Sequence, residues 1–128
     1  MSRERALKVV LVLTGLLFLA GIYPLVTVIR SELQPGAENT LPMALSVYVT
    51  LGVFLLLAAR NPAAHRSLIA FAAWSSLAHA AVMAVMSIQL PLERRELLFA
   101  TAAFCVVGAL FIVLAPREQI VEAPVAMD

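Results

Sequence analysis

The sequence predicts an all-α fold: a transmembrane bundle of four helices that run up-down-up-down with antiparallel neighbours. Of the 128 residues, 62% are hydrophobic and only 13% are charged, whereas soluble domains are about half apolar and a quarter charged. Four stretches also lack Asp, Glu, Lys and Arg over about 20 residues or more, which is the length of a helix that crosses a hydrocarbon core of roughly 30 Å. We therefore expect a single membrane-embedded domain.

The spans are expected at about residues 7–29, 41–59, 65–89 and 95–115, followed by a mobile tail over residues 117–128. Lipid offers no hydrogen bonds to an exposed backbone, so the spans must be helical, and the alternating pattern of barrel strands is absent. The first apolar run follows basic residues, as a signal peptide does. It is longer than a signal core, however, and no small-x-small cleavage motif follows before Arg30. We expect this span to remain in the mature chain.

The connections between the spans are short and carry turn signals, namely Pro35-Gly36, Asn61-Pro62 and Pro91. Connections of this length make sequential helices antiparallel. Asn61 is expected to cap the third helix, with Pro62 at its first position. Pro24 has no amide hydrogen to donate to the Ala20 carbonyl, and it predicts a kink in the first helix.

The basic residues predict the orientation of the chain. An even number of spans places both termini on one side of the membrane. On that side lie six basic residues: Arg3, Arg5, Lys8, Arg60, Arg66 and Arg117. The other side carries three: Arg30, Arg94 and Arg95. The positive-inside rule therefore predicts that both termini are cytoplasmic.

One polar or soft side chain from each span falls in a common layer, ~9–13 Å from the outer ends of the spans at ~1.5 Å per residue. These residues are Tyr23, Tyr48, His79 and Cys105. The helix face that carries His79 also carries Ser75, Ser76 and Met83. We predict that these seven residues line an outer-leaflet pocket for a small amphipathic ligand, such as a quinone or a lipid headgroup, because ionisable residues inside spans usually face a cavity or the bundle interior.

The same residues also have ordinary structural interpretations. A neutral imidazole needs only one hydrogen bond, so His79 is also consistent with a buried structural residue. Tyr23 and Tyr48 fit a position near the interface, and Cys105 fits a small, inert hydrophobe. Both interpretations stay open at the level of the sequence.

Several classes of function are excluded by composition. A net charge of +1 offers no broad basic surface to nucleic acid. The single cysteine, Cys105, rules out an intrachain disulfide and a CxxC motif. All eight acidic residues lie outside the four charge-free stretches, and there is no hydrolytic triad or phosphate loop. His65 lies at the cytoplasmic edge and cannot join His79 on a haem, and Met83 is more simply a packing residue than a copper ligand. We expect no enzyme activity, no cofactor and no metal site.

Two features indicate possible partners besides the lipid bilayer. Small residues spaced by four on the third helix allow close helix packing, either inside the bundle or at a dimer face; they are Ala72, Ser76, Ala80 and Ala84. At the cytoplasmic edge, Arg60, His65 and Arg66 either hold anionic lipid headgroups or serve only to fix the topology. Assembly into a homo-oligomer or a larger membrane complex is therefore expected.

The segment RNPAAHRSLIAFAAWSSLAHAAVMAVM, together with GIYPL in the first helix, resembles a family of small bacterial four-helix membrane proteins of unknown function. The residues that carry the resemblance are Asn61-Pro62, His65-Arg66, Trp74 and Ala78-His79. The resemblance implies a bacterial inner-membrane location and supplies no catalytic residue. In size and layout the chain is also similar to DoxX-like proteins, some of which accompany oxidoreductases. We expect a structural, assembly or interaction component; the alternative is a ligand binder that acts as an accessory to an oxidoreductase.

Overall fold

A computed structural model of the chain describes residues 2–31, 33, 35 and 40–118. Its helices are α1 (Arg3–Leu19), α2 (Ile22–Ser31), α3 (Thr40–Ala58), α4 (Arg66–Gln89) and α5 (Arg94–Leu114), and a 3-10 turn (Pro62–His65) precedes α4. The described residues contain no strand, which confirms the all-α class. Apart from Arg117 and Glu118, the predicted tail lies outside the described residues.

Among the residues that the structure describes, four helical segments are long and apolar enough to cross a membrane, as expected of a membrane protein. They are Arg3–Ser31, which combines α1 and α2, then Thr40–Ala58, Pro62–Gln89 and Arg94–Leu114. Only 17–28% of the most apolar window of each segment is buried inside the chain. Most of their apolar side chains therefore face outward, where hydrocarbon rather than water is the favourable surrounding.

The first helix begins at Arg3, earlier than the apolar run alone indicates, because polar side chains stabilise its first turns. The Ser2 hydroxyl accepts a hydrogen bond from the Arg5 amide at 3.3 Å. Lys8 pairs with Glu4, four residues before it, at 3.0 Å. These contacts extend the helix into the polar surroundings that precede the span.

The first span is interrupted at Ala20 and Gly21, between α1 and α2. Because Pro24 cannot donate to the Ala20 carbonyl, this oxygen accepts instead from the Tyr23 amide at 3.2 Å, in a tighter turn. The regular pattern resumes when Leu25 donates to the Gly21 carbonyl at 3.1 Å. The break therefore lies one turn before the proline, at the carbonyl that lacks its usual donor.

The third span does not start with the side-chain cap that its sequence predicts. Pro62 occupies the first position of the 3-10 turn, as expected, but the Asn61 side chain makes no capping hydrogen bond. The Asn61 carbonyl instead contacts Nδ1 of His65 at 2.9 Å. The 3-10 geometry changes the path of the chain, and α4 proper begins at Arg66.

The helices pack as two antiparallel pairs, and each pair crosses at a glycine. In the first pair, Gly15 of α1 faces Gly52 of α3. In the second pair, Gly108 of α5 lies against Ala73 and Leu77 of α4. Without a side chain at these positions, the two helix backbones approach closely, which is the main source of packing energy between helices in lipid.

The two pairs join in the half of the bundle nearest the chain termini, called here the terminal half. The largest fully buried side chains of its core come one from each span, namely Leu11, Leu55, Ile69 and Phe111. In the opposite half, the distal half, α2 has no buried residue, and neither do residues 40–50 of α3. The distal part of the first pair is therefore largely uncovered by the rest of the chain.

Candidate functional site

Four rings, one from each span, meet at the distal edge of the core. They are Phe18, Tyr48, His79 and Phe104 and are called here the aromatic layer. Tyr48 packs edge-on against Phe18, with ring centroids 5.1 Å apart, and edge-on against His79 at 5.5 Å. The His79 ring is 4.6 Å from that of Phe104. These spacings are typical of stabilising aromatic pairs.

The aromatic layer contains two of the four residues that were expected to share a layer. Tyr48 and His79 come together, but Tyr23 and Cys105 do not join them. Tyr23 lies on α2, beyond the break, and is 79% exposed. Cys105 is also exposed. Phe18 and Phe104, rather than Tyr23 and Cys105, supply the rings that pack against Tyr48 and His79.

Helix periodicity explains why Phe104, rather than Cys105, belongs to the aromatic layer. Successive residues on a helix differ in direction by about 100°. Phe104 shares a face with the buried Gly108 and Phe111, three to four residues apart, and this face points into the chain. Cys105, one position on, is turned outward. On α1, Phe18 likewise continues the buried stripe of Leu11 and Gly15.

The three flanking residues on α4 occupy different environments. Ser76 is buried, whereas Ser75 and Met83 are half-buried. The Ser75 hydroxyl donates to the Ala72 carbonyl of its own helix at 3.3 Å. In the row of small residues, Ala72, Ser76 and Ala80 are all buried within the chain, which favours packing inside the bundle over a free dimer face.

Polar atoms of the aromatic layer remain accessible from outside the chain. Within the described residues, the Tyr48 hydroxyl and the His79 imidazole take part in no hydrogen bond, and no fully buried side-chain nitrogen or oxygen lacks a partner. The two polar groups therefore reach the molecular surface, where each can donate or accept one hydrogen bond. The cavity beside Phe18 and Phe104 measures only about 40 Å³. Binding of a quinone or a lipid headgroup by this layer stays a prediction.

A larger concavity, called here the α3–α4 groove, lies on another side of the molecule and has a volume of about 370 Å³. Its lining residues are Ser46, Val47, Thr50, Leu51, Phe54, Leu68 and Phe71. The Ser46 hydroxyl donates to the Met43 carbonyl at 2.7 Å, and that of Thr50 donates to the Ser46 carbonyl at 2.9 Å. Because both hydroxyl hydrogens are used within α3, the groove presents a largely apolar surface.

The basic residues at the terminal edge differ in what they contact. Arg3 donates to the Val113 carbonyl at 2.6 Å and to the Ala115 carbonyl at 3.1 Å, so it caps the last turn of α5. Arg60 and Arg66, at the two ends of the α3–α4 connection, are exposed. Among the predicted headgroup ligands, His65 already contacts the Asn61 carbonyl through Nδ1. The number of basic residues in the sequence does not distinguish these roles. In the structure, Arg3 caps a helix end, whereas Arg60 and Arg66 are exposed.

In the part of the chain that the structure describes, no three His, Cys, Asp or Glu side chains come close enough to hold a metal ion. The family described as "Family of unknown function (DUF6632)" matches residues 2–126. No curated protein and no solved structure matches the chain.

Proposed function

The chain belongs to this family of unknown function, and we propose that it is a non-enzymatic interaction component of a membrane assembly. It spans a bacterial inner membrane four times, with both termini in the cytoplasm. The excess of basic residues on the terminal side supports this orientation, with six against three. The assembly contains further copies of this chain or other membrane proteins.

The observation that carries this proposal is the uneven burial of the spans. The helix pairs pack together in the terminal half, while α2 and the first half of α3 leave their apolar side chains outside the core. Ile22, Val26 and Ile29, for example, are each at least 42% exposed. Such a surface accommodates a neighbouring membrane helix as readily as lipid, because association in a bilayer depends on close packing.

The polar groups of the described residues are mostly used for internal structure, which supports a non-catalytic role. Arg94 donates to the Ser87 carbonyl at 3.0 Å and closes the end of α4. The hydroxyls of Thr27, Ser31 and Thr101 each donate to a carbonyl one turn earlier in the same helix. None of these arrangements pairs a nucleophile with a base.

The test is the mass of the full chain in lipid nanodiscs, measured by native mass spectrometry, combined with cross-linking in a Cys105→Ala background. Tyr23→Cys places a thiol on the exposed face of α2, and Leu98→Cys is the matched control on the exposed face of α5. We expect a mass above that of one chain, and cross-links at position 23 that exceed those at position 98. A strictly monomeric particle without a co-purifying partner would refute the proposal.

A further inference from the structure

We propose that the α3–α4 groove seats one anionic phospholipid. An acyl chain lies between Phe54 and Phe71, and the headgroup phosphate lies at Arg60 and Arg66. The lipid belongs to the leaflet that meets the α3–α4 connection. This site is separate from the exposed face of α2, so each proposal can fail independently of the other.

The chemistry of the groove fits a hydrocarbon chain. Its two hydroxyl groups, on Ser46 and Thr50, donate to carbonyls of α3. The remaining lining is aliphatic or aromatic, and the Phe54 and Phe71 side chains are 50% and 61% exposed. A volume of about 370 Å³ lies within the range of sites for small apolar ligands. An acyl chain that lies along this shallow concavity contacts side chains of both α3 and α4, so it gains more dispersion contacts than on one flat helix face.

The charges beside the groove determine which lipid it favours. Arg60 lies two residues beyond the end of α3, and Arg66 is the first residue of α4, so both lie at the connection that joins the two helices of the groove, while neither lines the groove itself. Within the described residues, the single salt bridge joins Lys8 to Glu4, and neither arginine takes part in it. Exposed cations between membrane helices at the interface attract anionic headgroups. A neutral helix of a partner would leave these two charges uncompensated.

The fold explains why the groove stays open. Contacts of α3 are made mainly with α1, and those of α4 mainly with α5, and a glycine lies at the closest approach within each pair. Along the seam between the pairs, Leu51 is buried, while Phe54 and Phe71 diverge toward the surface. The seam thus forms a shallow concave surface between the two helix pairs.

The single tryptophan of the chain, Trp74, provides the probe. It lies on α4, three residues beyond Phe71, and is 65% exposed. We would reconstitute the full chain in phosphatidylcholine vesicles that contain a minor fraction of either acyl-brominated phosphatidylglycerol or acyl-brominated phosphatidylcholine. Bromine quenches indole fluorescence at short range. Stronger quenching by the anionic lipid is the expected result, and a titration of its mole fraction gives the enrichment over the neutral lipid.

Two pairs of matched variants test the headgroup and the groove separately. Arg60→Gln with Arg66→Gln should lower the enrichment about fivefold for each arginine. The control variant, Arg30→Gln with Arg95→Gln, removes two exposed arginines at the distal end of the bundle. It should leave the enrichment of the anionic lipid unchanged. Thr50→Phe fills the groove and should abolish the enrichment. Thr50→Leu adds a smaller side chain and should lower the enrichment by an intermediate amount. Thr27→Phe is its control, because Thr27 is also exposed and bonds within its own helix.

Three results would overturn the proposal. The first is equal quenching by the two brominated lipids in the wild-type chain. The second is an equal loss of enrichment in the Arg60/Arg66 and Arg30/Arg95 variants, which would indicate general attraction to a charged surface. The third is an enrichment that survives Thr50→Phe. If this last variant instead lowers the mass of the particle in nanodiscs, the groove holds a second copy of the chain.

Discussion

Gly15 of α1 and Gly52 of α3 contact each other through their backbones. A Cβ atom added to Gly52 would lie 2.8 Å from the Gly15 carbonyl oxygen and 2.8 Å from the Leu19 amide nitrogen. Both obstacles are backbone atoms, so a side chain at residue 52 can be accommodated only if the helices move apart. The crossing of α5 over α4 differs in degree, since the two nearest atoms to a Cβ on Gly108 belong to the Leu77 side chain, at 2.8 Å, and the backbone oxygen of Ala73 lies slightly farther away, at 3.0 Å.

Replacing Gly52 by alanine should therefore destabilise the chain by about 1–3 kcal/mol, the usual cost of overpacking. Gly108→Ala should cost less, because Leu77 can change its rotamer. The measurement is thermal unfolding in a mild detergent, followed by circular dichroism. Ala78→Val, which adds carbon atoms at an exposed position of α4, serves as the control and should unfold like the wild type. Equal stability of the Gly52→Ala and Ala78→Val variants would contradict the tight crossing.

Arg3→Gln should loosen the end of α5. The guanidinium group donates to two carbonyls there, at Val113 and Ala115, and its charge complements the negative end of the helix dipole. We expect a loss of about 1 kcal/mol. Hydrogen–deuterium exchange of the amides in the last turn of α5 should become faster. Arg5→Gln removes the same charge without removing the cap, so an equal effect in both variants would show that charge alone is responsible.

His79 is expected to act chiefly through its packing between Tyr48 and Phe104. His79→Ala should lower the free energy of unfolding by about 1–2 kcal/mol, whereas His79→Phe preserves ring contacts and should remain close to the wild type. Thermal unfolding measures stability, and the ultraviolet absorbance of the purified chain reports any retained quinone. Unchanged stability of His79→Ala, combined with the loss of a retained quinone in both variants, would instead support the ligand pocket.

The orientation of the chain can be tested with single cysteines in a Cys105→Ala background. With cytoplasmic termini, an impermeant thiol reagent added outside intact cells should label Asn39→Cys, and it should label Asn61→Cys only after the cells are permeabilised. The expectation follows from the distribution of Lys and Arg between the two sides. The opposite labelling pattern would place the termini outside.

Span number and approximate length could be predicted from the sequence, because hydrocarbon imposes both. The pairing of the helices could not. Most faces of these spans are apolar, so hydropathy does not distinguish a face that contacts protein from one that contacts lipid. The distinction depends on backbone approach at Gly15, Gly52 and Gly108, which is a steric property rather than a property of polarity.

For the candidate site, counting residues gives the depth of each residue along its span but not the direction of its side chain. Counting residues along each helix gave Tyr48 and His79 a similar depth, and their rings pack together because both side chains are directed inward. Tyr23 and Cys105 were counted at a similar depth, but their outward directions depend on the break after Leu19 and on the rotation of α5 about its axis. Gly15 and Gly108 lie three to four residues from Phe18 and Phe104 on the same helix faces, and these glycines were the available signal in the sequence for both rings.

The location of the two glycine crossings also has a consequence for biogenesis. Each crossing joins helices of the same pair, and the first pair is complete once synthesis has passed Ala58. Helices of membrane proteins insert first and associate afterwards. α1 and α3 can thus associate in the bilayer before α4 leaves the ribosome, with Leu11 and Leu55 temporarily facing lipid. The four-way core also needs Ile69 and Phe111, so it cannot form until α5 has been synthesised.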